Sequence, residues 1–343
     1  MGSYLNPGNF SFRGSLRSKI YVDKSKLIAK TNEVLCTEQK YICVSRPRRF
    51  GKSMAANMLA AYYDRSENTE DLFQNLAISR EKSYEENLNQ YDVIKINMQE
   101  FLSMAGTIEK MLEMLKDYLV VDFEEAYPEV RFRDNNNLIQ TMKDVFSYTK
   151  CPFVILIDEW DCLFREYKQD KEAQKKYLDF LRAWLKDKDY IAMAYMTGIL
   201  PIKKYGSHSA LNMFTEYSMT DPGELAEYFG FTEPEVSAIC EKYGMSFEEA
   251  KTWYDGYQLV AHRQWKDECY SMYNPKSVVE AMLRHKFGTY WNQTETYEAL
   301  KIYIQMDMDG LKASVIRMLA GDSVPINTGT FSNDITTFAT KDD

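Results

Sequence analysis

An apolar, β-branched segment that runs into a Gly-Lys-Ser turn and then into a helix-forming segment constrains the fold of this chain more than any other feature. The apolar segment is Tyr41-Ile42-Cys43-Val44-Ser45, the turn ends in Gly51-Lys52-Ser53, and residues 54–63 favour a helix. This strand–loop–helix order is the context that a phosphate-binding P-loop requires. The pattern G-x-x-x-x-G-K-[ST] expects glycine where this chain has Arg46, so the loop needs independent support.

A second segment, further along the chain, provides that support. Five apolar residues, 153–157, follow Cys151-Pro152 and end at Asp158-Glu159. Such a run predicts a strand buried on both faces of a parallel sheet, and its carboxyl end lies where α/β sheets bind ligands. We interpret Asp158 as a Walker-B ligand of Mg²⁺ and Glu159 as the residue that orients or deprotonates an attacking water. The alternative for both is an acidic turn after a buried strand.

The residues of the loop have separate predicted roles. Lys52 is expected to neutralise charge on the β- and γ-phosphates, and the alternative is a solvated lysine at a helix start. Ser53 is either a second Mg²⁺ ligand or a simple helix N-cap, and Gly51 allows close approach of the backbone. Backbone groups at the helix N-terminus are expected to surround the phosphates. The predicted nucleotide-binding residues are Arg49, Phe50, Gly51, Lys52, Ser53, Met54 and Thr197.

Thr197 ends the apolar segment 191–196, which predicts the next strand. It is either a polar sensor of the γ-phosphate or a turn threonine before Gly198. Asp161 is either a partner of the Mg²⁺ ligands or, as we prefer, a surface acid.

Three arginines in the loop, Arg46, Arg48 and Arg49, also have alternative roles. Arginine forms forked bonds with phosphate or carboxylate, so contacts with a nucleotide, with Asp158 or Asp161, or with a nucleic-acid backbone are compatible with the sequence, as is an exposed position. The segment 253–257 (Trp-Tyr-Asp-Gly-Tyr) is interpreted as a packing and turn element, with a partner-binding or base-stacking surface as the alternative.

Composition excludes several classes of protein. The chain has 343 residues with a net charge of −9, which argues against general coating of DNA but allows a local basic groove. No run approaches the ~18 apolar residues of a membrane helix, and the N-terminus lacks a signal segment. Six cysteines without C-x-x-C spacing indicate reduced thiols and a cytoplasmic location, and three separated histidines disfavour zinc.

Strands and helices that alternate up to about residue 219 predict a three-layer α/β P-loop NTPase core with a parallel sheet, of the additional-strand class. We expect a leader packed on the core at 1–40, with a plain edge element as the alternative, the core at 41–219, a mostly helical lid or relay at 220–330 and a tail at 331–343. Helices are predicted at 52–64, 107–121, 136–149, 169–188, 224–229, 234–243, 246–254, 275–287 and 295–305, and strands at 41–45, 93–97, 153–157 and 191–196. Thr232 and Glu235 have the spacing of a capping box.

With both motifs in place, the chain resembles the bacterial AAA-ATPase-like proteins that often carry a C-terminal PD-(D/E)xK nuclease domain. The matching stretches are spread in order along the chain, at 21–24, 46–53, 156–161, 197–198, 230–236, 253–257 and 273–275. In that family R-P-R-R-F-G-K-[ST] is the usual form of the P-loop, so Arg46 looks like a family trait. Trp160 stands where the family usually has tyrosine, and Lys276 where it usually has tryptophan.

The resemblance implies ATP as the nucleotide, and the chain also lacks an N-K-x-D segment that would indicate guanine. It further implies an ATPase half without its nuclease, because no P-D…(D/E)-x-K arrangement follows residue 331. We expect Mg²⁺-dependent ATP hydrolysis that powers or gates a partner or a nucleic-acid effector located elsewhere, with homo-oligomerisation compatible and no membrane partner. The alternative is a nucleotide-gated interaction module that binds ATP with little turnover.

Overall fold

The computed structural model describes residues 2–202, 211–262, 266–290, 311–320 and 322–325. The strands are β1 Tyr41–Ser45, β2 Asp92–Asn97, β3 Phe153–Asp158, β4 Ile191–Gly198, β5 Thr215–Tyr217, β6 Phe231–Thr232, β7 Asp255–Ala261 and β8 Glu268–Tyr273. The helices are α1 Phe10–Leu16, α2 Lys26–Val34, α3 Lys52–Tyr63, α4 Glu70–Phe73, α5 Tyr84–Asn87, α6 Met98–Ala105, α7 Ile108–Ala126, α8 Leu138–Thr149, α9 Cys162–Glu166, α10 Lys171–Leu185, α11 Glu233–Tyr243, α12 Phe247–Tyr254, α13 Pro275–Arg284 and α14 Leu311–Leu319. Two 3₁₀ helices span Ala77–Arg80 and Gly223–Tyr228.

Five strands form a parallel sheet in the order β2-β3-β4-β1-β5. The strand β4 lies between β1, which leads into the loop, and β3, which ends in the acidic pair. This is the additional strand that the sequence predicts. Because all five strands are parallel, their carboxyl ends meet at one edge of the sheet, where the topology of such folds places ligands.

Both faces of the central strands are buried, which explains their continuous apolar sequences. Alternate residues of one strand enter different cores: Ile155 and Ile157 pack with α6 to α10, whereas Val154 and Leu156 pack with α1 to α5. The result is the three-layer α/β arrangement that the sequence predicts.

The residues before β1 pack on this core. Leu5 forms an antiparallel bridge with Ile94 of β2, and the Asn6 side chain hydrogen-bonds both Asp92 and the Val93 amide. Further along, Lys24 forms an ion pair with Glu235 of α11. The leader therefore contacts the main sheet at one end and, at the other, the region after β5, which we call the C-terminal region.

The region after β5 contains α11 to α13 around a core of its own, together with an antiparallel sheet of order β6-β8-β7. The sequence analysis predicted these helices but not the sheet, and residues 255–257 of the predicted packing and turn element begin β7. The capping box of Thr232 and Glu235 is confirmed at the start of α11. The segment predicted as a helix at 224–229 is instead a 3₁₀ helix.

The other predicted elements of the core are confirmed, with shifts of a few residues at their ends. The predicted helix 295–305 and the tail 331–343 lie outside the described residues. None of the described helices combines the length and apolar character needed to cross a bilayer.

Candidate nucleotide site

The loop between β1 and α3 makes a tight turn that exposes the N-terminus of α3. Two of its residues have left-handed backbone conformations, Arg49 at φ +67° and Gly51 at φ +91°. An added Cβ at Gly51 would meet no atom within 4 Å, so conformation and not space favours glycine there. The turn places the first backbone N–H groups of α3 at the carboxyl edge of the sheet, as an anion site requires.

Lys52 is buried beneath this loop. Its Nζ donates hydrogen bonds to the carbonyl oxygens of Arg46, at 2.9 Å, and Pro47, at 3.0 Å. Burial lowers the pKa of Lys52, while the negative charges of Glu159 and Asp158 oppose that shift. The fold therefore brings the lysine of the loop and the carboxylates after β3 into one electrostatic cluster.

Asp158 ends β3 and is nearly buried. The Thr197 hydroxyl donates a hydrogen bond to Asp158 Oδ1, and the Glu159 amide donates to the same oxygen at 3.0 Å. Among the residues that the structure describes, the hydrogen bonds to this carboxylate reach Oδ1 alone. The arrangement fixes the carboxylate while leaving Oδ2 for another ligand, and it connects Thr197 directly to the acidic pair.

Glu159 follows in a left-handed conformation with φ +54°. Its Oε2 accepts a hydrogen bond from Nη2 of Arg165 in α9. Burial raises the pKa of Glu159, and the neighbouring guanidinium of Arg165 opposes this effect. A carboxylate that is partly buried and yet held by a cation is suited to act as a base near a reacting phosphate.

Asp161 corrects one of our interpretations, because it is fully buried and not a surface acid. Its Oδ2 accepts hydrogen bonds from the amides of Ile199, at 3.0 Å, and Leu200, at 2.8 Å, and lies 3.4 Å from Nε of Arg165. Asp161 therefore fixes the segment that follows Thr197. The sequence suggested a surface role because Asp161 follows a strand end, where exposed turns are common.

Arg46 occupies the position where the P-loop pattern expects glycine, and its side chain is fully buried. Its Nη1 donates to the carbonyls of Ser45, at 3.0 Å, and Tyr217, at 2.7 Å, and its guanidinium lies 5.6 Å from the centre of the Phe229 ring. Burial lowers its pKa to about 10. Arg46 thus attaches the start of the loop to β5 and to the C-terminal region. Arg49, by contrast, is exposed.

Phe50 has a buried side chain that packs on the C-terminal region. Its ring lies 5.4 Å from that of Tyr257 in an edge-on arrangement, and its carbonyl accepts a hydrogen bond from the Gly230 amide at 3.0 Å. Only the backbone of Phe50 is therefore placed to contact a phosphate. Ser53 and Met54 lie exposed in the first turn of α3.

The sequence analysis missed two residues of this cluster, Arg165 and Gln99. Gln99 Oε1 lies 3.5 Å from Nη2 of Arg165. The i,i+4 spacing of Asp161 and Arg165 was the available signal for the arginine, since such pairs meet on one helix face. No comparable signal marks Gln99, which reaches the site through the pairing of β2 with β3.

The donors of this site fit Mg²⁺, which binds oxygen ligands and is usually held by one or two carboxylates together with substrate phosphates. Asp158 supplies a carboxylate oxygen and Ser53 a hydroxyl. Within the described ranges, no three His, Cys, Asp or Glu side chains group into a site that would hold a metal by themselves. The residues present therefore suit a cation that shares its ligands with a phosphate group.

A parallel sheet with one strand inserted between the loop strand and the acidic strand, together with a Gly-Lys-Ser loop at a helix start, defines a nucleotide-binding P-loop NTPase core. The sequence agrees with this class, since residues 12–207 match the family described as predicted AAA-ATPase. The chain belongs to that family.

Two further comparisons are more distant. A protein of Azotobacter chroococcum mcd 1, described as an uncharacterized protein in the vnfD 5' region, is 24% identical over 287 residues, covering 80% of this chain and 51% of that protein. The chain thus spans about half the length of this relative. The Aeropyrum pernix ORC1 protein, solved in complex with DNA, is 12% identical with a TM-score of 0.37, covering 73% of this chain and 55% of that one.

Proposed function

We propose that this protein binds ATP with Mg²⁺ and hydrolyses it. The observation that carries the proposal is the single cluster formed by Lys52, Asp158, Thr197 and Glu159 at the carboxyl edge of the sheet. These are the parts that phosphoryl transfer needs: a cation for the phosphates, a carboxylate for the metal, and a carboxylate for the water.

In the proposed reaction, Lys52 and the backbone amides of residues 49–54 balance the negative charge that builds up on the phosphates. Mg²⁺, held by Ser53 and Asp158, would neutralise the β- and γ-phosphate oxygens. Glu159 accepts a proton from water as the water oxygen bonds to the γ-phosphorus. The bond from that phosphorus to the bridging oxygen breaks, and its electron pair leaves with ADP. Thr197 keeps Asp158 in place with its single hydroxyl donor and would sense the γ-phosphate by way of that carboxylate.

The direct test of the binding step is Lys52→Ala, with ATP affinity measured by calorimetry in the presence of Mg²⁺. Loss of the buried ammonium should weaken ATP binding or turnover by at least ~100-fold. Lys143→Ala, which changes an exposed lysine of α8, is the matched control and should behave like the wild type. Unchanged ATP hydrolysis by Lys52→Ala would contradict the proposed role of the loop.

We further propose that the region after residue 220 acts as a lid or relay for the nucleotide state. Support comes from Phe50 and Arg46, which join the loop to Gly230, Tyr257 and Phe229. The effector would be a partner or a nucleic acid that another domain or protein contacts. A DNA affinity that does not depend on salt concentration, or does not depend on nucleotide, would count against a nucleic-acid effector.

A further inference from the structure

Arg165 lies at the centre of a polar network that the P-loop motifs do not include. Its Nη2 binds Glu159 Oε2 and lies 3.5 Å from Gln99 Oε1, and its Nε lies 3.4 Å from Asp161 Oδ2. Only 17% of the Arg165 side chain is exposed. Since three oxygen atoms hold it, two from the turn after β3 and one from α6, the guanidinium has little freedom to move.

Asp161, at the other end of this network, is also held in place. Asp161 is fully buried, and its Oδ2 accepts the amides of Ile199 and Leu200, directly after the strand that carries Thr197. The position of Arg165 is therefore set by the same segment that holds the proposed γ-phosphate sensor.

Glu159 needs such a support. Its backbone is left-handed, and its side chain remains 24% exposed, so packing alone does not define the carboxylate position. Among the described residues, its ion pair with Arg165 is made through Oε2. The second carboxylate oxygen, Oε1, is left to accept a proton from water.

We propose that Arg165 is a positioning residue for hydrolysis. Asp161 fixes the position of Arg165, and Arg165 binds Oε2 of Glu159, so that Oε1 of Glu159 faces the attacking water. This inference rests on the proposed function and adds to it a residue outside the P-loop and Walker-B sequences. A general base must lie within hydrogen-bond reach of its proton, so loss of orientation should lower the rate of the chemical step and leave ATP affinity unchanged.

The test compares Arg165→Ala, Arg165→Lys, Glu159→Gln and the double variant Arg165→Ala/Glu159→Gln in the full chain. We expect Arg165→Ala to lower kcat by at least ~10-fold and to change the Kd of ATP by less than ~3-fold. Arg165→Lys should recover part of the loss. Arg284→Ala, which removes an exposed arginine that pairs with Glu280 on α13, should leave kcat unchanged.

The double variant separates positioning from a structural role. If Arg165 acts through Glu159, removing the arginine from the Glu159→Gln protein should change the residual rate by less than ~2-fold. A loss as large as in the wild-type background would overturn the inference, and so would a kcat equal to or above the wild-type value in Arg165→Ala.

A nucleotide-free measurement tests the pair independently of turnover. The melting-temperature changes of the two single substitutions should not add in the double variant, because the two side chains contact each other. Additive changes would overturn the inference. If the changes are additive but the wild-type protein hydrolyses ATP, the proposed ATPase function still holds. A wild-type protein without turnover would contradict both the ATPase function and the role of Arg165.

Discussion

At the scale of single residues, the site is defined by charged side chains that are buried or partly buried and lie near one another. Lys52 comes from the loop after β1, and Asp158, Glu159, Asp161 and Arg165 come from the segment 158–165. The chain brings these two segments together at one sheet edge. The sequence predicted the first three from their motifs. The i,i+4 spacing of Asp161 and Arg165 could have indicated their ion pair, but the bonds of Asp161 to the amides of Ile199 and Leu200 depend on the segment after β4 and could not be predicted.

The hydrogen bond from Thr197 to Asp158 gives a residue-scale prediction. Thr197→Val keeps the shape of this buried side chain and removes the hydroxyl that Asp158 Oδ1 accepts. The free energy of unfolding should fall by about 1.5–3 kcal/mol, the range for a hydrogen bond to a charged group. Urea denaturation measures this change. Thr197→Ser, which retains the donor, should lose less, and equal losses in the two variants would show that the hydroxyl contributes nothing.

At the scale of elements, the strands of the main sheet were predictable where burial on both faces made them continuously apolar. This holds for β1, β3 and β4. The short strand β5 and the hairpin strands β7 and β8 were missed, since β5 has three residues and most of the β7 residues are exposed. β7 and β8 pair with each other, and the residue pattern within each segment alone does not predict this pairing. Strand order, too, depends on pairing between distant segments.

The end of β4 gives an element-scale prediction. A Cβ added at Gly198 would lie 2.6 Å from Trp160 Nε1 and 2.9 Å from Asp161 Oδ1, both in buried side chains. Gly198→Ala should therefore destabilise the protein by about 1–3 kcal/mol through overpacking. Gly14→Ala is the control: it lies in α1 with no atom within 4 Å of the added Cβ, so we expect no loss. Chemical denaturation of both variants checks the difference, and equal stabilities would contradict close packing at Gly198.

At the scale of the whole molecule, the P-loop is also a contact between the core and the C-terminal region. Arg46 reaches Tyr217 and Phe229, Phe50 packs on Tyr257, and Lys24 of the leader pairs with Glu235. The sequence analysis expected a leader packed on the core and a lid or relay after residue 220. The contacts of Phe50 could not be predicted, because it lies inside a motif whose other residues are predicted to act at the phosphates.

Phe50 therefore gives a prediction at this scale. Phe50→Ala removes a buried ring and should lower the free energy of unfolding by about 3–5 kcal/mol. Amides of β7 and β8 should exchange hydrogen faster, because Tyr257 loses its aromatic partner. Phe10→Ala, at an aromatic residue that is 87% exposed, should change neither quantity. Unchanged exchange in β7 and β8 of Phe50→Ala would contradict a connection between the loop and the C-terminal region.

The measurement that most directly tests the account is Mg²⁺-dependent phosphate release from ATP by the purified chain, with Glu159→Gln measured beside it. The substitution keeps the size of the side chain and removes the carboxylate that is expected to take the proton from water. We predict turnover in the wild type and a loss of at least ~100-fold in the variant, with ATP still bound by both. Equal turnover in the two proteins would contradict the role of Glu159. Binding without turnover in either would indicate a nucleotide-gated switch in place of an ATPase.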